Sequence, residues 1–312
     1  MKISFVIPCY NSEKTIGSVV GEIEDKMRTI EDYQYEIILV NDASPDDTYE
    51  TISAICENDN NVVGVDLVRN FGQHAAVMAG IKMSTGDVVV CLDDDGQTPA
   101  NEVDKLIAKI EEGYDAVYAR YSSKQHSAFR NWGSSVNERM TEWILDKPKD
   151  LYVSSYFAVR RVIADEMLRY ENAYPYLIGL VLRSTRKICN VDVNHRAREE
   201  GTSGYSLKKL IGLWMNGFTA FSVKPLRAAT FAGVVIAMLG FVYTIYVLIN
   251  KIFNAATPLG WSSIVALLLL LGGTILFVLG IIGEYIGRIY ICINNSPQYV
   301  VREIRDSRDH EE

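Results

Sequence analysis

Two periodicities alternate along the first 120 residues. Short apolar runs fall at residues 3–7, 36–40, 62–68, 88–92 and 116–119. Between them, apolar positions recur every three or four residues at 13–29, 46–58, 73–83 and 102–111. The first pattern predicts buried strands and the second predicts helices packed by one face. Ser44-Pro45 is suited to open the helix at 46–58. Strands separated by helices of this length imply right-handed β-α-β units and a mainly parallel, Rossmann-like sheet covered by helices. Ligands of such sheets bind beyond the carboxyl ends of the strands. That directs attention to residues 8–11, 41–47, 69–72 and 93–99.

The pattern changes in the last third. From Ala228 to Ile249 no residue is charged, and a second uncharged run lies between Lys251 and Glu284, broken at Pro258-Leu259-Gly260. Each is long enough for the roughly 20 residues that cross a bilayer core. The expectation is two transmembrane helices, at 226–250 and 261–287. Lys208, Lys209, Lys224 and Arg227 precede the first; Arg288, Arg302, Arg305 and Arg308 follow the second; the loop between carries only Lys251. This asymmetry predicts a multi-pass protein with both termini and the large N-terminal domain in the cytoplasm. The apolar start at residues 3–7 is too short and too soon interrupted for a secretory signal. Residues 205–225 join domain and span. Within them Leu207, Leu210, Ile211, Trp214 and Phe218 share one helical face, with Lys208 and Lys209 on another. Lys208, Lys209 and Trp214 are therefore candidates for the membrane interface, and an ordinary core-facing helix is the alternative. Residues 1–204 form the expected soluble domain and 288–312 a cytoplasmic tail.

Composition narrows the chemistry. The 312 residues carry 31 Lys+Arg against 39 Asp+Glu, a net charge of −8, which excludes a general nucleic-acid binder. Five scattered cysteines, Cys9, Cys56, Cys91, Cys189 and Cys292, form no C-x-x-C pair, against a disulfide framework or zinc ribbon. The strand-end segments contribute Asn11, Asp42, Asp46, Asp47, Asp93, Asp94 and Asp95, an acidic rim without a glycine-rich phosphate cradle. Carboxylates there suit a hard divalent ion, which takes one or two of them and fills its shell with substrate phosphate oxygens and water. In an extended chain Asp93 and Asp95 face one way and Asp94 the other. The other reading is a set of loop and N-cap carboxylates ahead of a helix opened by Thr98-Pro99.

Taken in order, the segments resemble glycosyltransferase family 2, with its GT-A nucleotide-sugar fold, and within it the polyisoprenyl-phosphate glycosyltransferases. The matching residues are Ile7-Pro8-Cys9-Tyr10-Asn11, Val40-Asn41-Asp42-Ala43-Ser44-Pro45-Asp46, Arg69-Asn70-Phe71-Gly72-Gln73-His74-Ala75-Ala76 and Leu92-Asp93-Asp94-Asp95-Gly96-Gln97-Thr98-Pro99. His195-Arg196-Ala197-Arg198, Gly201-Thr202-Ser203-Gly204-Tyr205-Ser206 and Gly283-Glu284-Tyr285-Ile286-Gly287-Arg288 complete the set.

The resemblance implies an inverting transfer of a sugar from a nucleotide-sugar, a UDP-sugar, to undecaprenyl phosphate at a bacterial plasma membrane. It implies Mg²⁺ or Mn²⁺ as cofactor and a homo-oligomer. Pro8, Tyr10, Asn11 and Asp42 would hold the nucleotide, with Asp93 and Asp94 beside it. Asp93 and Asp95 would serve the metal, and Gln97 would lie near the donor sugar. Arg198 and Ser203 would close over the phosphates. Gly204 stands where the family often has Lys, and Ser154-Ser155-Tyr156-Phe157 lacks the basic residue common there. Arg130, Arg160, Arg161 and Tyr205 are thus the candidates for the acceptor phosphate. His74 is open between a structural hydrogen bond and substrate contact. A processive polysaccharide synthase would need the Gln-x-x-Arg-Trp pattern, which is missing, and more spans. A non-catalytic nucleotide-sugar-binding protein is at odds with the intact Asp93-x-Asp95 and Arg198.

Overall fold

A computed structural model describes residues 1–30, 32–121, 142, 147–194, 260–294 and 296–306, with scattered positions between 226 and 249. The chain divides into two compact units: Met1–Leu210 with Asn295–Glu312, and Ile211–Asn294.

The first unit is built on eight strands. In chain order they are β1 (Lys2–Cys9), β2 (Gln34–Asn41), β3 (Val62–Leu67), β4 (Val88–Cys91), β5 (Ala116–Tyr121), β6 (Phe157–Arg160), β7 (Ile188–Val193) and β8 (Val301–Asp306). They form one sheet in the order β7-β5-β6-β4-β1-β2-β3-β8, with β6 and β8 antiparallel to their neighbours and the rest parallel. The central strands are mostly apolar and buried, as a sheet covered on both faces requires, with Ser4, Glu36, Asn41 and Asp66 as buried polar exceptions. Helices α1 (Ile16–Arg28), α2 (Thr48–Asn58), α3 (Gln73–Met83) and α4 (Val103–Glu111) supply the covers, joined by α5 (Arg161–Leu168) and α6 (Leu177–Ser184). In α1, Ile16, Val19, Val20, Ile23 and Met27 are the buried stripe. Helix α3 is buried along Ala75–Ile81, and its Gly80 lies against Val6 and Val40 where a Cβ would not fit.

The sequence periodicities put the first five strands and four helices within three residues of these bounds. Their parallel order around β4-β1-β2-β3 follows the β-α-β expectation. The segment assigned to a tail behaves differently. Residues Val301–Asp306 run antiparallel to β3 and close that edge of the sheet.

In the second unit, α7 spans Trp261–Ile293, six residues beyond the expected end of the second span. Its stretch Leu271–Ile291 is long and apolar enough to cross a membrane. Of the first expected span only scattered residues are described, and these are helical.

Candidate active site

The carboxyl ends of β1, β2, β3 and β4 converge on one rim. Asp93, Asp94 and Asp95 follow β4 directly, and each is half-buried. Their side chains take different partners. Asp94 turns to the β1 loop, where its Oδ2 accepts the Tyr10 N–H at 3.0 Å and the Ser12 hydroxyl. Asp93 turns the other way, accepting from the Gln73 amide at 2.7 Å and from the Ser155 hydroxyl. Burial, joined by the negative charges of Asp95 and Asp94, pushes the Asp93 carboxyl up to about 6 despite those two donors. Asp95 accepts the Gln97 N–H at 3.1 Å and the Gln97 side-chain amide at 3.0 Å, a turn that Gly96 permits with φ of +72°.

Among the described residues no three His, Cys, Asp or Glu side chains form a preformed metal cage. The oxygens that could hold an ion are the carboxylates of Asp93 and Asp95, a hard donor set. Such a set fits a divalent ion that is completed by substrate oxygens.

The neighbouring turns carry most of the remaining candidates. Tyr10 is 49% exposed on the rim. Asn11 and Ala43 adopt left-handed φ values of 58° and 51°, which non-glycine residues hold only where the surroundings fix them. Asp42, expected at the nucleotide, has main-chain partners in this fold. It is buried, and its two oxygens accept the Phe71 and Gly72 N–H groups at 2.7 and 2.8 Å, so it fixes the loop ahead of α3. Pro8 is buried in β1 opposite Val40. Asp46 and Asp47 follow the plainer reading: Asp46 accepts from Thr48 at 2.6 Å, and Asp47 stands at the start of α2. His74 sets its Nδ1 3.2 Å from the Pro175 carbonyl and its ring 5.6 Å from that of Tyr176. A carbonyl only accepts, so Nδ1 carries the proton, and burial lowers the pKa.

Arg160 and Arg161 are corrected as acceptor ligands. On β6, Phe157 lies opposite Cys91 and Arg160 opposite Val88, three residues or about 10 Å farther from the rim. Their guanidinium groups serve the opposite edge of the sheet. Arg160 donates to the carbonyls of Tyr114, at 3.0 Å, and Ile110; Arg161 donates to Gly86 at 2.7 Å. Arg130, Arg198, Ser203, Tyr205, Lys208, Lys209 and Trp214 lie outside the described residues. Sequence reasoning missed Tyr121, at the end of β5, whose hydroxyl pKa burial pushes up to about 12, with Asp93 and Asp95 adding to the rise. It missed Ser12 as well; only their places after strands marked either. Ser155 stood in a segment singled out for lacking a basic residue, which gave no sign that its hydroxyl would bind Asp93.

A mainly parallel sheet covered by helices, with an acidic triplet just after its fourth strand, is a GT-A-like α/β fold. The chain belongs to glycosyl transferase family 2, whose model matches residues 4–168. A second model, the GtrB C-terminal hairpin, matches residues 224–289. The chain is 34% identical over 304 residues, 97% of its length and 94% of the relative's, to the uncharacterized glycosyltransferase YkcC of Bacillus subtilis. It is 34% identical over 306 residues, again 97% and 94%, to the undecaprenyl-phosphate 4-deoxy-4-formamido-L-arabinose transferase of Proteus mirabilis. Among solved structures, mannosyl-3-phosphoglycerate synthase from Rubrobacter xylanophilus shares the fold at TM-score 0.53 and 15% identity, covering 73% of this chain and 74% of the other.

Proposed function

We propose that the protein transfers one sugar from a UDP-sugar to polyprenyl phosphate, with inversion at the anomeric carbon. The observation that carries this reading is the acidic triplet Asp93–Asp95 at the carboxyl-end rim of the sheet, in a chain that continues into a long apolar helix. Support comes from the relative in Proteus mirabilis, which resembles the chain from end to end and is named for transfer to undecaprenyl phosphate.

A phosphate monoester is mostly dianionic at neutral pH, since its second pKa is about 6. It can attack the anomeric carbon without a strong general base. The new bond runs from phosphate oxygen to carbon, and the bond to the nucleoside diphosphate breaks. Asp95 and Asp93 would hold Mg²⁺ or Mn²⁺. When bound, the ion supplies charge that stabilises the leaving diphosphate. Tyr10 and Asn11 border the nucleotide, while Asp42 and Asp94 act beneath it by holding the two turns that flank it. Arg198 and Ser203 serve the diphosphate, because a guanidinium pairs phosphate oxygens bidentately and keeps its charge. Arg130 and Tyr205 remain the candidates for the acceptor phosphate. In this reading the protein is an oligomeric plasma-membrane enzyme with two spans, at 226–250 and 261–287. Both termini lie in the cytoplasm, and Lys208, Lys209 and Trp214 meet the headgroups.

The test is a panel of labelled UDP-, GDP- and dTDP-sugars offered to the detergent-purified protein with and without undecaprenyl phosphate. Label passing into the organic phase from a UDP-sugar, only when the lipid and a divalent ion are present, is the expected result. No transfer from any UDP-sugar would overturn the donor assignment.

A further inference from the structure

The strand that follows the apolar helix reaches the rim from the side. Asp66, near the end of β3, is buried, and a carboxylate there requires partners. Two are present. The Asn41 amide donates to its Oδ1 at 2.7 Å, and the Arg302 guanidinium pairs with its Oδ2 at 3.0 Å. Arg302 is the extra residue of a β-bulge: Asp66 lies opposite Glu303 and the next residue, Leu67, opposite Val301. A bulge re-aims the side chain of its extra residue.

From this pair the contacts run to both turns that hold Asp42. On one side the buried Asn41 uses its other amide atom to accept the Ser44 N–H at 3.1 Å, and the Ser44 hydroxyl accepts the Asn11 N–H at 3.2 Å. These bonds secure the turns containing the left-handed residues Ala43 and Asn11. On the other side the second Arg302 nitrogen donates to the Val68 carbonyl at 3.0 Å, while the Val68 N–H donates to Val300 at 3.0 Å. Val68 directly precedes the 69–72 loop, whose Phe71 and Gly72 amides grip Asp42.

We propose that Arg302 is a positioning residue for the donor nucleotide, holding through Asp66 and Val68 the two turns that meet at Asp42. The inference rests on the reading of this rim as the donor site. Arg302 is 58% exposed while Asp66 is 4% exposed, so solvent screens the cation but losing it leaves the buried carboxylate with Asn41 alone. Its effect falls on the geometry of the turns.

The test uses the full-length protein in detergent, with UDP as the calorimetric probe and hydrogen exchange followed at residues 41–44 and 69–72. Arg302→Gln is expected to weaken UDP binding by about tenfold, the loss of one or two charge-assisted hydrogen bonds. Exchange should rise in both turns more than in the rest of the sheet, while the KM for undecaprenyl phosphate hardly moves and the melting temperature falls by only a few degrees. Arg302→Lys, which restores the charge at Asp66 without the second hydrogen bond, should fall between. Adding Asp66→Asn to Arg302→Gln should cost little more. Unchanged UDP affinity and unchanged exchange would overturn the inference and leave the donor reading standing. Raised exchange in a protein whose wild type takes up no UDP would overturn the donor reading and leave the mechanical tie intact. A global rise in exchange with equal losses for donor and acceptor would reduce Arg302 to a residue of general stability.

Discussion

At the scale of single residues, three adjacent aspartates have three different surroundings. Asp95 sits with Gln97, Asp93 is held by Gln73 and Ser155, and Asp94 is bonded to the β1 loop. Asp95→Asn keeps the shape and removes the charge a hard cation needs, so turnover should fall by more than about a hundredfold. Asp94→Asn retains an oxygen for the Tyr10 N–H, and its effect should be a severalfold rise in donor KM with kcat nearly kept. Steady-state kinetics on both variants separates the roles; equal loss of kcat would contradict the assignment. Far from the rim, Glu36 is buried beneath Ser4, Thr85 and Lys2, with its carboxylate 2.7 Å from the Lys2 ammonium. Burial alone would raise its pKa, but the hydrogen bonds from Lys2, Ser4 and the Thr85 amide outweigh it and hold the group at about 2. The ionised form is favoured by folding, so its contribution is complete above pH 4.5 and lost as pH falls toward 2. It amounts to about 3 kcal/mol at most. Thermal unfolding across that range should show wild type losing its advantage over Glu36→Gln, and a constant gap would refute the account.

At the scale of elements, the strands and helices of the first 120 residues were legible because burial on both faces of a parallel sheet leaves continuous apolar runs. Alternation likewise led to the expectation that Asp94 parts from Asp93, and the two carboxylates have different partners. Three features were not legible. The β8 segment, Val301–Asp306, has only Val301 and Ile304 as apolar residues among four charged ones and pairs only at the edge, so nothing in its composition sets it apart from a solvated tail. Arg160 and Arg161 carry the right charge for a phosphate, but the antiparallel course of β6 takes them to the wrong end of the sheet, and direction is not written in local sequence. The carboxylate of Asp42 looked free for a ligand because its partners, the Phe71 and Gly72 amides, belong to main chain about thirty residues on. Packing between elements gives its own prediction. A Cβ on Gly80 would collide with the Val6 side chain and lie 3.1 Å from Val40. Gly80→Ala should cost about 1–3 kcal/mol by overpacking. Adding Val6→Ala should cost less than the two single changes summed, as coupling between contacting residues requires. Strict additivity in denaturant unfolding would contradict the close contact.

At the scale of the whole molecule, one chain joins a sheet with an acidic rim to an apolar helix of 33 residues and then returns to the same sheet as β8. A reporter fused after Glu312 should read cytoplasm and one placed near Pro258 should read the outside, which follows from the distribution of Lys and Arg. The central claim is a single inverting transfer to a lipid phosphate. It is tested most directly by the product formed from undecaprenyl phosphate and an α-linked UDP-sugar, analysed by mass and by anomeric proton coupling. One sugar per lipid phosphate, in the β configuration, is the predicted result. A polymer, a free sugar or a retained α linkage would contradict it.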